Sequence, residues 1–218
     1  MSLRLAVEKN VNFDTLFSVP SVFGEAESRR ILAMKNERRR AESAAGLLAL
    51  KRALGDIEPG KIVRDERGRP SFAEALGVDF NISHSGSLSV AAVIDSPFWR
   101  VGVDIERVDE KKGNAYERIA ERYFSDEEKL HFLNSPTPLE FFKIWTAKEA
   151  RAKLFGHGLA EIISLDRDVK KDEECTVLHF LIACESEKYV LAVCTNGDDE
   201  IDFICSNGIN VSAIDINK

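Results

Sequence analysis

The chain has no long apolar run. No stretch approaches the ~18 uninterrupted apolar residues that a membrane helix needs, so a spanning protein is not expected. Its start, MSLRLAVEKN, lacks the apolar core of a secretory signal, and the expected location is the cytoplasm. Positive charge is not in excess: 30 Lys and Arg stand against 37 Asp and Glu, a net charge of −7. Basic and aromatic residues are not interleaved either, which excludes a general nucleic-acid binder. The same balance gives no long-range attraction to an acidic partner, so steering must come from a local basic patch. Cysteines are few. Cys175, Cys184, Cys194 and Cys205 show no CxxC spacing, and three sit in apolar, strand-like runs. They read as small buried thiols in a reducing compartment, not as disulfides or zinc ligands. GxSxG is missing, which weakens a serine-hydrolase reading.

What is present is a soluble, globular composition, 44% apolar and 31% charged over 218 residues. That length suits one large domain or two small ones. The most informative segments are VGVDIE (Val101 to Glu106) and WTAKEARAK (Trp145 to Lys153), with forty residues between Asp104 and Trp145. In a strand, Val101, Val103 and Ile105 share one face, and Gly102, Asp104 and Glu106 the other. Two carboxylates on one face repel unless a cation or water lies between them. Oxygen-only ligands suit a hard ion such as Mg²⁺. Taken alone, DIE reads more readily as a strand end entering a solvated acidic loop.

Leu139 to Phe155 places Phe141, Ile144, Trp145, Ala152 and Phe155 near helical spacing, and Gly156 and Gly158 would stop the helix. Glu149 and Lys153 stand one turn apart beside that apolar stripe. By spacing alone they are an ordinary surface pair, stabilising by ~0.2–0.5 kcal/mol. The functional alternative is a general base beside a phosphate-binding cation. Between the two segments, FSDEEKLHFL opens a helix with a capping box, Ser125-x-x-Glu128. Capping explains Glu128 fully and competes with a role in metal binding.

A coarse pass along the chain predicts a helix over Ala26–Leu54, then a charged loop containing GRP. Strands are predicted ending in NISHS, over Leu88–Ile94 and over Val101–Ile105. Helices follow near Tyr116–Tyr123, Asp126–Leu133 and Leu139–Phe155, and strands near Thr176–Ile182, Tyr189–Cys194 and Ile201–Cys205. FNISHSGSLSVAAVI and LHFLIACESEKYVLAVC occupy similar places, a weak internal repeat with its seam near Pro97–Arg100. A crevice between two such halves is a common ligand site.

VGVD, the forty-residue gap and WTAKEARAK together resemble the signature of the 4′-phosphopantetheinyl transferases. FNISHSG (Phe80 to Gly86) and GRP (Gly68 to Pro70) resemble two further segments of that family, so the likeness runs from about Gly68 to Leu159. Length and layout resemble the surfactin-synthetase-activating type. The resemblance implies an α+β fold with two similar α/β halves, residues 1–98 and 99–218, forming a pseudo-dimer with a cleft between them. It implies transfer of phosphopantetheine from coenzyme A to a serine of an apo acyl or peptidyl carrier protein, with Mg²⁺. Carried over by position, Asp104, Glu106 and Glu128 would hold the metal. Glu149 would act as base, and Lys153 would contact the transferred phosphate. Gly68, Arg69, Pro70, Ser83 and His84 would line the nucleotide side. The family also uses basic residues of an N-terminal helix. Glu42 stands where an arginine is expected, which leaves Arg30, Arg39 and Arg40 as candidates. His84 is otherwise an ordinary hydrogen-bonded histidine, and Arg38-Arg39-Arg40 a solvated helix face. The repeat implies a monomer, and the acidic balance and the lack of a long apolar run leave no nucleic-acid or membrane partner expected. Two alternatives stay open: a Mg²⁺-dependent nuclease or phosphohydrolase using the same acidic residues, and a catalytically silent carrier-binding protein.

Overall fold

The computed structural model describes residues 2–109, 115–156, 175–197 and 201–214. In chain order the elements are β1 (Leu3–Lys9), a one-turn helix α1 (Phe13–Leu16), a 3₁₀ turn (Pro20–Phe23), α2 (Glu25–Leu32) and α3 (Glu37–Leu54). Next come β2 (Ile62–Arg64), β3 (Pro70–Phe72), β4 (Asp79–Ser85), β5 (Leu88–Ile94) and β6 (Val101–Arg107). Helices α4 (Ala115–Tyr123), α5 (Asp126–Asn134) and α6 (Pro138–Phe155) precede β7 (Thr176–Cys184), β8 (Glu187–Thr195), β9 (Ile201–Cys205) and β10 (Ile209–Ile214). The class is α+β, as expected.

Two four-stranded sheets, ordered β4-β5-β1-β9 and β10-β7-β8-β6, stack face to face. Between them lies an apolar layer that includes Leu3, Leu5 and Val7 of β1, Val90 and Ala92 of β5, Val101, Val103 and Ile105 of β6, and Leu191 and Val193 of β8. Each fully buried Val, Leu or Ile of this layer is stabilising by ~1.5–3 kcal/mol. The outer face of the first sheet is covered by α3, through Ala45, Ala49 and Ala53. The outer face of the second is covered by α6, through Ala150 and Leu154 against Ala192 and Cys194. A fourth, aromatic cluster joins α4, α5 and α6 around Phe141, with Tyr116, Phe124 and Phe132.

Two expectations need correction. The predicted helix Ala26–Leu54 is two helices. The chain turns at Ala33–Asn36, and the Asn36 side chain accepts a hydrogen bond from the Arg39 N–H, starting α3 afresh. The N-terminal strand β1 was not predicted, although Leu3, Leu5 and Val7 alternate as a half-buried strand should. It pairs with β5 on one side and, in parallel, with β9 on the other. The first sheet thus takes an edge strand from the C-terminal part of the chain. Gly156 ends α6 in the left-handed conformation (φ 69°), and Gly158 lies outside the described residues. All four cysteines are free thiols. No helix among the described residues is long and apolar enough to cross a membrane.

Candidate active site

Strands β4 and β6 meet edge to edge at the junction of the two sheets, and side chains replace the usual backbone ladder there. The alternating residues of β4 supply them. The Asp79 carboxylate accepts from the Val101 N–H at 2.9 Å, and the Asn81 carbonyl oxygen accepts from the Val103 N–H at 3.1 Å. Ser83 donates to Asp104 at 2.8 Å, and Ser85 donates to Glu106 at 2.7 Å. This is why NISHS carries polar residues at every second position.

The partner helix is set by Gly102. A Cβ built there would lie 2.0 Å from the Ala150 carbonyl oxygen and 2.6 Å from the Leu154 nitrogen. Only glycine lets the α6 backbone come so close to β6. That contact brings Glu149 and Lys153, each one residue before a contacting residue of α6, toward Asp104. The Lys153 ammonium donates to Asp104 Oδ1 at 2.7 Å, to the Ser83 hydroxyl at 2.9 Å and to the Val103 carbonyl at 3.1 Å. Lys153 thus pairs across to Asp104 of β6, which is not the ordinary surface pair with Glu149 of the first alternative.

Three carboxyl groups crowd this spot. Asp104 is 5% exposed, and its second oxygen, Oδ2, is buried without a hydrogen-bond partner. Burial, then the charge of Asp104, pushes the Glu106 carboxyl above its ordinary range, and Glu149 adds to this. Burial, then Asp104, likewise raises Glu149, with Lys153 opposing. An orphaned buried oxygen beside two carboxyl groups whose pKa values are raised is a site short of positive charge. It fits a hard cation. Among the described residues no three His, Cys, Asp or Glu side chains form a ready metal cage. Mg²⁺ typically needs only one or two carboxylates, with waters and substrate phosphates completing its shell.

Glu128 has other partners. Its carboxylate accepts from the Ser125 N–H at 2.7 Å, closing the capping box, and from the buried Lys148 ammonium at 2.8 Å. The carboxylates acting on Glu106 are Asp104 and Glu149.

On one side of Lys153 opens a cleft of about 540 Å³. Its cationic lining comprises Arg30, Arg64, Arg67, Arg69 and Lys153, and His84 lies beside them. The turn before β3 builds one wall. Gly68, at φ 87°, closes that turn. Arg69 donates to the Lys153 carbonyl and, at 2.6 Å, to Asp79. Arg67 donates to the Gly156 carbonyl at 3.1 Å. Both arginines thereby meet the C-terminal end of α6, where cations are favoured by the helix dipole. His84 faces Glu42 at 3.6 Å, and Glu42 also accepts from Arg38 at 2.8 Å. Burial, with Lys153 and Arg38, lowers the His84 pKa, against the pull of Glu42 and Asp104. On the other side, Glu106 borders a second cavity of about 320 Å³ with Trp145, Phe141, Arg38 and Arg107 in its walls.

The structure thus gathers Asp104, Glu106, Glu149, Lys153 and Ser83 at one point, with Arg30, Gly68, Arg69, Pro70 and His84 along the adjoining cleft. Arg39 and Arg40 are not in that lining. The Arg39 backbone serves the α3 cap, and the Arg40 guanidinium lies 5.6 Å above the Phe13 ring. Sequence reasoning missed Glu27, Arg64 and Arg67. The charged run Arg64–Arg69 before the GRP proline was the available signal for the arginines.

A family model for the 4′-phosphopantetheinyl transferase superfamily matches residues 100–194. The 4′-phosphopantetheinyl transferase AcpT of Salmonella typhimurium is 31% identical over 161 residues, 72% of this chain and 77% of that protein. The 4′-phosphopantetheinyl transferase HetI of Nostoc sp. is 34% identical over 140 residues, 59% of this chain and 56% of that protein. The 4′-phosphopantetheinyl transferase psf-1 of Bacillus pumilus is 40% identical over 96 residues, 43% of this chain but only 38% of that protein. The conjunction at β6 and α6 lies inside all of the family-model match, and the AcpT match spans most of both chains: this chain belongs to the 4′-phosphopantetheinyl transferase superfamily.

Proposed function

We propose that this chain is an enzyme that transfers 4′-phosphopantetheine from coenzyme A to a serine of an apo acyl or peptidyl carrier protein, releasing 3′,5′-ADP. The observation that carries the reading is the orphaned Asp104 Oδ2, set among Glu106, Glu149 and Lys153 at the end of a cationic cleft. Coenzyme A is an elongated polyanion, and the cleft offers cations along its length.

Asp104 and Glu106 would hold Mg²⁺, whose contribution when bound is to neutralise charge on the phosphate oxygens. Glu128, tied to the cap and to Lys148, is better suited to holding α5 against α6. Glu149 acts as the base. A serine hydroxyl is a poor nucleophile, and a carboxylate beside it must take its proton as the oxygen attacks the β-phosphorus. Its raised pKa makes Glu149 a stronger base than a solvated carboxylate. The Lys153 ammonium faces the phosphate oxygens that gain charge as the bond to the leaving 3′,5′-ADP breaks. Ser83 holds both Lys153 and Asp104 in place. The second cavity, beside Glu106, is the open side through which a carrier serine can reach the same point.

Residues 1–98 and 99–218 act as two related halves, a pseudo-dimer within one chain, with α3 and α6 on equivalent faces. Since β4 and β6 supply both sides of the site, the chain works as a monomer. Its free thiols suit a cytoplasmic setting.

The test is a mass measurement. An apo carrier incubated with the protein, coenzyme A and Mg²⁺ gains one phosphopantetheine. A carrier of unchanged mass, with cleavage of DNA or RNA in parallel, would instead support the nuclease alternative.

A further inference from the structure

A buried tyrosine ties the two sheets together at the end where Glu106 stands, and the transfer chemistry does not use it. Tyr189 of β8 is fully buried, with its ring in the layer between the sheets. Its hydroxyl crosses to the β4–β5 turn, where it accepts from the Ser87 N–H at 3.1 Å. The same hydroxyl donates to the Glu187 carboxylate. The Ser87 hydroxyl, 2.8 Å from the phenol, donates to that carboxylate at 2.9 Å. The other Glu187 oxygen accepts from the Arg107 guanidinium at 2.7 Å. Gly86 makes room for this contact. It has φ 57°, and a Cβ there would lie 2.8 Å from the Tyr189 hydroxyl oxygen.

Two of the tied segments converge on one hydrogen bond. Strand β4 ends at Ser85, directly before the turn, and β6 ends at Arg107, directly after Glu106. Strand ends fray unless something holds them. The Arg107 N–H donates to the Ser85 hydroxyl oxygen at 3.1 Å, and that hydroxyl donates to Glu106 at 2.7 Å. The Arg107–Glu187 pair is too exposed to hold much by itself, at 47% and 30%. The phenol is the stronger anchor, because a hydroxyl carried on a fully buried side chain is costly to leave unpaired.

A carboxylate that binds a cation is oriented by the groups that hydrogen-bond to it, and losing them weakens the metal. We propose that Tyr189 is a positioning residue: acting through the Gly86–Ser87 turn, it holds Ser85 against Glu106 and so sets the affinity of the Asp104–Glu106 pair for its divalent cation. This rests on the metal assignment of the proposed function.

The experiment is a double-mutant cycle with two readouts. One is the Mg²⁺ concentration that half-saturates transfer. The other is the rise in melting temperature that Mg²⁺ produces without turnover. Ser85→Ala should raise the half-saturating concentration roughly tenfold, the lower end for a lost hydrogen bond to a metal-holding carboxylate. Tyr189→Phe keeps the ring and should raise it by a smaller factor, with kcat near wild type once Mg²⁺ is saturating. The double variant should need no more Mg²⁺ than Ser85→Ala alone, since both changes act on one hydrogen bond. The Mg²⁺-induced melting shift should shrink in the same order. Glu187→Gln, at the exposed end of the clamp, should weaken Mg²⁺ in the same direction and carries the test if Tyr189→Phe does not fold. A merely structural tyrosine would lower the melting temperature and leave the Mg²⁺ requirement alone. That result in the folded variant, or effects that add in the double variant, overturns the positioning role while wild-type transfer stands. A wild-type protein with neither transfer nor any response to Mg²⁺ overturns the proposed function with it.

Discussion

Helices α3 and α6 are built alike and used differently. Each has 18 residues, each is N-capped by a side chain, and each lies on the outer face of its own sheet. Each also has a glycine at its closest approach. In the first half the glycine is in the helix: a Cβ on Gly46 would meet only the Ile82 Cγ2 atom, at 2.7 Å. In the second half the glycine is in the strand, and Gly102 faces the α6 backbone itself. The acidic residues differ in the same sense. Glu42 of α3 is paired with the Arg38 guanidinium at 2.8 Å. Glu149 of α6 is left among like charges, with its pKa raised. The two helix-on-sheet layers are alike in layout, and the strained electrostatics appear in one of them. In the proposed reading, the helix and strand that leave charge uncompensated carry the chemistry, and α3 with its sheet supplies a wall for the ligand.

The comparison can be broken most severely at the glycines. Gly102→Ala should cost about 3 kcal/mol or more, because backbone must move to admit the methyl. Melting temperature should fall by roughly 10 °C on the usual scaling for a chain of this size, and transfer should vanish. Gly46→Ala should be far milder. Its clash is with a side chain, and alanine recovers ~1 kcal/mol of helix propensity. Similar melting temperatures for the two variants would undo the distinction.

The carboxylates come next. Asp104→Asn keeps the shape of the site and removes the charge, so transfer should be almost lost while the melting temperature changes little. Glu42→Gln should leave kcat near the wild-type value. Steady-state rates with an apo carrier decide between them, and an active Asp104→Asn enzyme would remove the metal assignment.

A smaller effect follows from pH. Glu106 and Glu149 have raised pKa values in the folded protein. Their protonated forms suit the fold, so stability falls as pH rises through those values and the carboxylates ionise. Mg²⁺ should offset that loss. The rise in melting temperature on adding Mg²⁺ should therefore be larger at pH 7 than near pH 4, where the carboxyl groups are protonated. An equal shift at both values would show that the ion binds elsewhere. Smallest of all, Glu128→Gln should lower the melting temperature through the weakened cap and Lys148 pair, with unchanged Mg²⁺ dependence of the rate. A rate that needs more Mg²⁺ would return Glu128 to the metal site.

Much of the candidate site's β6–α6 edge was legible because it obeys local rules. Alternation in VGVDIE assigns the two faces of β6, and the one-turn spacing of Glu149 and Lys153 puts them on one side of α6. The Ser125 capping box and the Gly156 stop needed only their neighbours. The cleft was less legible, since its wall is assembled from contacts distant in sequence. Arg67 and Arg69 reach the end of α6 across more than eighty residues. Nothing local tells that Glu27 is buried, or that Arg39 and Arg40 turn from the cleft while Arg30 enters it. The missed break at Asn36 has a local signal, an asparagine cap, that the surrounding charged run concealed.

The most direct measurement is the intact-mass time course of an apo carrier with coenzyme A and Mg²⁺, comparing wild type with Glu149→Gln. The account predicts one phosphopantetheine added by the wild-type enzyme, and a kcat lower by ~10²-fold or more in the variant, the scale of a lost general base. A surface pair would predict unchanged kinetics and a stability loss of at most ~0.5 kcal/mol. Equal time courses for the two proteins would contradict the assignment of the chemistry to the β6–α6 edge.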